Sequence, residues 1–259
     1  MSVYSDKAMM CLYKMSQEMA RKNLELGRQT KLFSQLMLAG MSPTSIPREF
    51  VSKLLMNQFD DGGFVANTDS IWSIFFLSNY EKYAEKRLFA IKWLEKQKNC
   101  EIWGRTKRDI PRIPTTGLLL DLIPELRNDN NYESLMRLWI SEKNSLTYKA
   151  AYLLLAFSRY KTNKFDKEIK EAVAWLESQQ ENDGGFAPWK GHPVASNVYC
   201  TGIAVVALLR YPELCNQNTV QRAYDFLIRN QMVNGLWSYH EIEDGGAWGL
   251  RAMIEVEKR

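Results

Sequence analysis

Histidine, cysteine and net charge are all scarce in this sequence. Two histidines and four cysteines occur in 259 residues. Cys11, Cys100, Cys200 and Cys215 have neither C-x-x-C spacing nor the regular framework of a small secreted scaffold, so reduced thiols in a cytosol are expected. The 34 basic and 30 acidic side chains leave a net charge of +4, too little for an overall field that draws the chain to nucleic acid or a membrane surface. No stretch approaches the ~18 apolar residues of a membrane span. The first residues also lack a charged segment followed by an apolar run. A cytoplasmic protein that binds no nucleic acid is the expectation.

What is present fits a large soluble core. Hydrophobic residues make up 46% and charged residues 25%, an ordinary balance for a globular chain able to bury most of its apolar surface. Aromatic residues reach 12%, and many lie beside glycines instead of inside apolar runs. Self-similarity explains that placement. Gln58-Phe-Asp-Asp-Gly-Gly-Phe64 and Gln180-Glu-Asn-Asp-Gly-Gly-Phe186 are two copies of Q-x-x-D-G-G-F. Gln231-Met-Val-Asn-Gly-Leu-Trp237 is a looser third copy, and Gln97-Lys-Asn-Cys-Glu-Ile-Trp103 keeps only the outer letters. The glutamines stand 39, 83 and 51 residues apart. The middle interval is close to two periods of about 40, so a degenerate repeat belongs around Trp139 and Tyr148. Repeats are expected at about 58–79, 97–123, 139–158 (degenerate), 180–209 and 231–256, within one domain spanning residues 1–259.

Before most copies of the motif the apolar residues fall at helical spacing, as in residues 90–97, 172–179 and 223–230, which predicts amphipathic outer helices. After each motif, residues 70–78, 115–123, 146–158, 196–209 and 244–256 read as inner helices, apolar nearly all round because both faces are covered. Two N-terminal helices, about 5–21 and 28–39, bring the total to about twelve, or six hairpins. The expected class is all-α, an α/α-toroid with almost no strand. In the motif itself the Asp accepts backbone N–H bonds, glycine takes positive φ, and the aromatic packs the turn.

The Q-x-x-D-G-G-[F/W] repeat followed by an inner helix resembles the QW motif of squalene-hopene cyclases, class II diterpene cyclases and protein prenyltransferase β-subunits. The resemblance implies a ring of paired helices with inner ends around an aromatic-lined hollow. It does not by itself carry an activity. The zinc-dependent prenyltransferases open one inner helix with Asp-x-Cys and a later one with His. Here those places read Asp69-Ser-Ile71 and Tyr199-Cys200-Thr201, too few ligands for a catalytic zinc. No metal or cofactor is expected. The resemblance to class II cyclases implies a D-x-D-D acid signature at an inner-helix start. Its nearest counterpart is Glu241-Ile-Glu-Asp244, followed by Gly-Gly-Ala-Trp248.

By that resemblance Glu243 takes the place of the proton donor, with Glu241 and Asp244 beside it and His240 in reach to orient a carboxyl. Crowded carboxylates at an apolar hollow keep one proton bound. Acids in a first helical turn also serve as caps, and both roles stay open. Carbocations need π-faces, for which Trp72, Phe75, Tyr148, Tyr152, Trp189, Tyr199, Trp237, Tyr239 and Trp248 are candidates; about half should instead face other helices. Arg105, Lys107, Arg108 and Arg112, ahead of an inner helix, form either a diphosphate seat or a solvated loop. No D-D-x-x-D stretch is present to hold magnesium. The resulting expectation is protonation-initiated cyclisation of an isoprenoid, in a cavity that a second copy or a partner protein completes. The alternative is a non-catalytic toroid that binds an isoprenoid, lipid or peptide, or a subunit completing a partner enzyme's site.

Overall fold

The computed structural model describes residues 2–22, 25–142 and 145–259. Its helices alternate between two concentric rings. The outer ring holds α1 (Val3–Arg21), α3 (Arg48–Met56), α5 (Ala84–Glu95), α7 (Asp129–Glu142), α9 (Asp166–Ser178) and α11 (Gln217–Arg229). The inner ring holds α2 (Leu26–Leu38), α4 (Asn67–Leu77), α6 (Ile113–Leu122), α8 (Thr147–Phe157), α10 (Val198–Leu208) and α12 (Ile242–Glu257). Each inner helix packs against the next, and α12 packs back onto α2, so the inner ring closes. The expected α/α-toroid of six hairpins is the fold observed, with no strand among the described residues beyond two isolated bridges. Residues 143 and 144, inside the degenerate repeat, lie outside the described residues.

Composition sorts the helices between the rings. Every residue of α10 except Tyr199 is buried, because it is covered by neighbours on one side and by outer helices on the other. In α11 only one face is buried, through Val220, Ala223, Phe226 and Leu227, as for an amphipathic helix on the outside of a bundle. The short α3 joins through Phe50, whose ring lies 4.6 Å from Phe33 and 5.5 Å from Phe76.

The glutamine motif works as a staple between successive hairpins. Gln58 donates to the carbonyls of Gly62 (2.8 Å) and of Lys86 in α5 (2.9 Å). Gln180 does the same with Gly184 and with Thr219 of α11. Gln231 donates to Gly235 and to Tyr4 of α1, so the last copy ties the end of the chain to its beginning. Asp61, Asp183 and Asn234 each accept a backbone N–H from two residues ahead. The glycine between has φ of 96° at Gly62 and 89° at Gly184, and a Cβ at Gly184 would lie 2.6 Å from the Arg222 carbonyl oxygen. Glycine is required there both for its left-handed backbone and for this close approach. The inner helices complete the staple: Ser70, Thr116 and Thr201 accept the backbone N–H of Phe64, Trp103 and Phe186. Those hydroxyls had no place in the sequence reading.

The inner ring is tightest where α10 meets α12. A Cβ on Gly202 would stand 2.5 Å from the Trp248 carbonyl carbon and 2.7 Å from the Gly249 nitrogen. Backbone cannot yield as a side-chain end can, so Gly202→Ala should destabilise by about 1–3 kcal/mol, the usual range for overpacking. Urea unfolding measures this, and a loss below about 0.5 kcal/mol would contradict so close an approach.

Candidate functional site

The N-terminal turns of the inner helices converge on one hollow of about 710 Å³. From α2 come Gly27, Arg28 and Lys31; from α4, Thr68, Asp69 and Trp72; from α6, Pro114, Thr115 and Leu118; from α8, Tyr148, Lys149 and Tyr152. Tyr199 of α10 and Asp244 of α12 finish the ring, and loop residues Arg105, Arg112, Tyr239, His240 and Glu241 form the rim. This convergence follows from the repeat: every motif loop delivers its inner helix N-terminus to the same end. Asn67 at the start of α4 bonds the Gly104 and Arg105 carbonyls, and Thr147 at the start of α8 bonds those of Ala187 and Pro188.

The wall is richer in charge than an aromatic-lined pocket. On the α2 to α12 side, Lys31 Nζ lies 2.6 Å from Asp244 Oδ2, and Gln35 Nε2 donates to Asp244 Oδ1 at 3.2 Å. Burial pulls the Lys31 ammonium down, but the Asp244 carboxylate outweighs it and its pKa is raised. Glu243 accepts from Arg28 Nε at 2.7 Å and also from Nη2. Its carboxylate faces a separate side pocket of about 50 Å³ with Arg28, Lys31, Leu32 and Gln35, and is not on the wall of the large hollow. On the opposite side Lys149 pairs with Glu142 at 2.6 Å, and Arg112 pairs with Asp109 at 2.7 Å.

Four tyrosines panel the remaining wall. Tyr199 and Tyr239 stack with centroids 5.7 Å apart and planes 4° apart. Tyr148 meets Tyr199 edge-on at 6.4 Å, and the Tyr152 and Tyr199 hydroxyls are 3.4 Å apart. Burial raises the pKa of all four phenols. They therefore stay protonated and offer O–H donors as well as π-faces.

Three charged side chains of the lining have no ion-pair partner among the described residues: Arg105, Asp69 and Glu241, the last exposed at the rim. Asp69 stands in the first turn of α4; burial, the largest influence, pushes its carboxyl above the ordinary 3.8 against the opposing pull of the Ala66 backbone. It sits against a notch in α2, where a Cβ on Gly27 would lie 2.2 Å from Asp69 Oδ1.

Of the expected site residues, the structure brings Trp72, Tyr148, Tyr152, Tyr199, Tyr239, Arg105, Arg112, His240, Glu241 and Asp244 together around the hollow. Phe75 instead packs on the core from the next turn of α4. Trp237 and Trp248 are 1% and 0% exposed; the first hydrogen-bonds the Leu227 carbonyl and the second lies edge-on behind Tyr152 at 6.0 Å. Trp189 is 44% exposed beside His192, and Lys107 and Arg108 are exposed on their loop and off the wall. The sequence reading missed Arg28, Lys31 and Asp69 as wall residues. In the sequence Asp69 stands out only as a metal-ligand match, and its place at an inner-helix start is the signal that points to the wall. Among the described residues no cluster of three or more His, Cys, Asp or Glu is placed to hold a metal ion.

The squalene-hopene cyclase C-terminal domain family matches residues 139–250. No curated protein sequence matches the chain. Among solved structures, the type II terpene cyclase MstE from Scytonema superposes with a TM-score of 0.71 at 12% identity, covering 99% of each chain. The ent-copalyl diphosphate synthase from Streptomyces platensis gives 0.69 at 14% identity; 89% of this chain corresponds to 50% of that one, so this chain spans about half its length. A family 105 glycoside hydrolase from C. acetobutylicum gives 0.64 at 10% identity, with both chains fully covered. At such identities the likeness is one of fold. By fold along nearly its whole length the chain is an α/α-toroid, and its residues 139–250 are similar in sequence to the squalene-hopene cyclase C-terminal domain.

Proposed function

We propose that the chain binds an isoprenoid with an anionic head group in the hollow and starts its cyclisation by protonating an alkene. The observation that carries this reading is the combination on one wall of tyrosine and tryptophan faces, unpaired Arg105 and several carboxyls. A volume of about 710 Å³ suits a ligand of this size, since small-molecule clefts run roughly 300–1,000 Å³. Six helix N-termini directed at one space favour an anion there. The π-faces favour a cation deeper in, at Trp72 and Tyr152. His240 and Glu241 on the rim, with Asp244 below, are kept as orienting groups for the acid.

The test is incubation with polyprenyl diphosphates of increasing length and with squalene, followed by product analysis. Cyclic product is expected from a diphosphate. Arg105→Ala should raise its KM about tenfold or more, as for a lost charge-assisted hydrogen bond of about 1.5–3 kcal/mol, while leaving squalene binding unchanged. Equal effects on both ligands would remove Arg105 from the head-group seat.

One observation favours a second reading, that of a binder without chemistry. Both Glu243 and Asp244 are engaged by α2 cations, which commits two of the three acids in the D-x-D-D-like segment. Tight binding of a polyprenyl diphosphate with no conversion of any isoprenoid would establish that alternative.

A further inference from the structure

We propose that Asp69, and not the acidic segment of α12, is the proton donor of this site. The inference rests on the cyclase reading above and goes beyond it by relocating the acid to the other side of the hollow.

A general acid must hold a proton, face the substrate and have no neighbouring cation that takes its place. The α12 carboxylates meet these conditions poorly. Glu243 is engaged by Arg28 in the side pocket, Asp244 is held between Lys31 and Gln35, and Glu241, though unpaired, is exposed to water at the rim. Asp69 differs on each count. It lies on the wall of the large hollow and has no ion-pair partner among the described residues. The charged groups facing it are Glu25 and Lys31 of the α2 side. Lys31, the cation, is already bound to Asp244 at 2.6 Å. Burial further favours the neutral acid, as the raised pKa of Asp69 reflects.

The surroundings are shaped for this carboxyl. Its place in the first turn of α4 puts Asp69 on the wall of the hollow. Opposite, α2 carries glycine at residue 27, in its first turn, where any Cβ would press on Asp69 Oδ1. Glycine is a poor residue inside a helix, so the room it leaves has a reason outside helix stability. Trp72, one turn further along α4, and Tyr152 supply π-faces in the same hollow.

The step balances with water as the only other reactant. The Asp69 O–H bond breaks as a C–H bond forms at the terminal alkene carbon, whose π pair makes the new bond. Internal alkene π pairs then close the rings and carry the positive charge along the chain. Loss of a proton to water from a carbon next to the last cation restores an alkene, and water at the rim reprotonates the Asp69 carboxylate. The net change is an isomerisation.

The experiment compares Asp69→Asn, Glu243→Gln and Gly27→Ala with the parent. Asp69→Asn should cut cyclic product by about 10²- to 10⁴-fold, the usual worth of a general acid, with the Kd for a polyprenyl diphosphate within about threefold of the parent. Glu243→Gln should lose no more than about tenfold. Gly27→Ala should lower kcat more than it changes KM, because its methyl displaces the carboxyl. A large loss in Glu243→Gln with product retained in Asp69→Asn overturns the proposal. A second measurement does not depend on turnover: in a pH series, the infrared difference spectrum of parent minus Asp69→Asn should keep the C=O stretch of a protonated carboxylic acid at pH values where a free aspartic acid has lost it. If the parent converts no isoprenoid but the band is present, the cyclase reading fails while Asp69 remains an acid in the hollow. If the band is absent, this proposal fails whatever the parent makes. Thermal melting serves as a control with a definite sign. A carboxyl whose folded pKa is raised contributes stability below its free pKa and loses it as pH rises through the folded pKa. At about pH 8 the always-neutral Asp69→Asn should therefore melt above the parent, whereas an indispensable structural cap would melt below it.

Discussion

Replacing Trp237 by alanine should lower stability by about 3–5 kcal/mol, the range for deleting a buried large aromatic. At 1% exposure the indole leaves a cavity that fixed helices on all sides cannot collapse. Its Nε1 donates to the Leu227 carbonyl at 2.8 Å, so one buried acceptor is also orphaned. For a chain of this length the melting temperature should fall by roughly 10 °C, at about 2–4 °C per kcal/mol. The comparison is Trp189→Ala, where a 44% exposed ring should cost under about 1 kcal/mol. Equal losses at the two positions would refute the division between buried motif tryptophan and exposed loop tryptophan. Because Trp237 lies under Gly249 of α12, ligand affinity should fall together with stability.

Lys31→Met should have the next largest effect, about 3 kcal/mol. That is the low end of the 3–5 kcal/mol for removing one partner of a buried pair, because the Lys31 side chain is still 28% exposed. The cost arises at Asp244, 10% exposed, which keeps only Gln35 as a donor. The double variant Lys31→Met, Asp244→Leu should regain most of the loss, since two well-packed apolar groups replace the pair without leaving a charge behind. If the double variant is as unstable as the sum of the two single changes, the two side chains do not interact. The pH dependence has a definite sign. Lys31 has a raised pKa, because Asp244 outweighs the opposing burial. Its stabilisation is present below the free amine's 10.5 and is lost as pH rises through the higher folded value. Melting curves taken across that alkaline range should converge for parent and Lys31→Met.

The helix ring was legible because its signals are local. Each staple is written within seven residues, as in Gln58 to Phe64, and each inner helix follows within about twenty. Periodicity identified α5, α9 and α11 as outer helices, and the all-round apolar character of α8 and α10 identified them as inner. Local signals do not say which way a side chain points, however. Trp248 and Tyr199 each stand near the start of an inner helix, yet one is sealed behind Tyr152 and the other opens on the hollow. The difference comes from the roll of each helix about its axis, which is set by contacts such as that of Gly202 with the α12 backbone. Lys107 and Arg108 failed to reach the wall for a similar reason: the loop turns on Asp109, which caps the Arg105 N–H and holds Arg112.

The acidic segment that opens α12 shows most clearly where sequence alone stops. The segment Glu241 to Asp244 could be recognised as acidic and as opening the last inner helix. Its partners Arg28, Lys31 and Gln35 lie more than 200 residues away, on a helix that touches α12 only because the ring closes. No spacing rule links positions so far apart. The same closure brings Gly27 against Asp69. The sequence by itself determined the repeat, the two classes of helix, and the delivery of every inner helix N-terminus to one end, because each depends on residues within a few turns of one another. Which charges cancel and which carboxyls stay unpaired in the hollow were decided only by tertiary structure, because electrostatic partners are chosen by distance in space once the two ends of the chain have met.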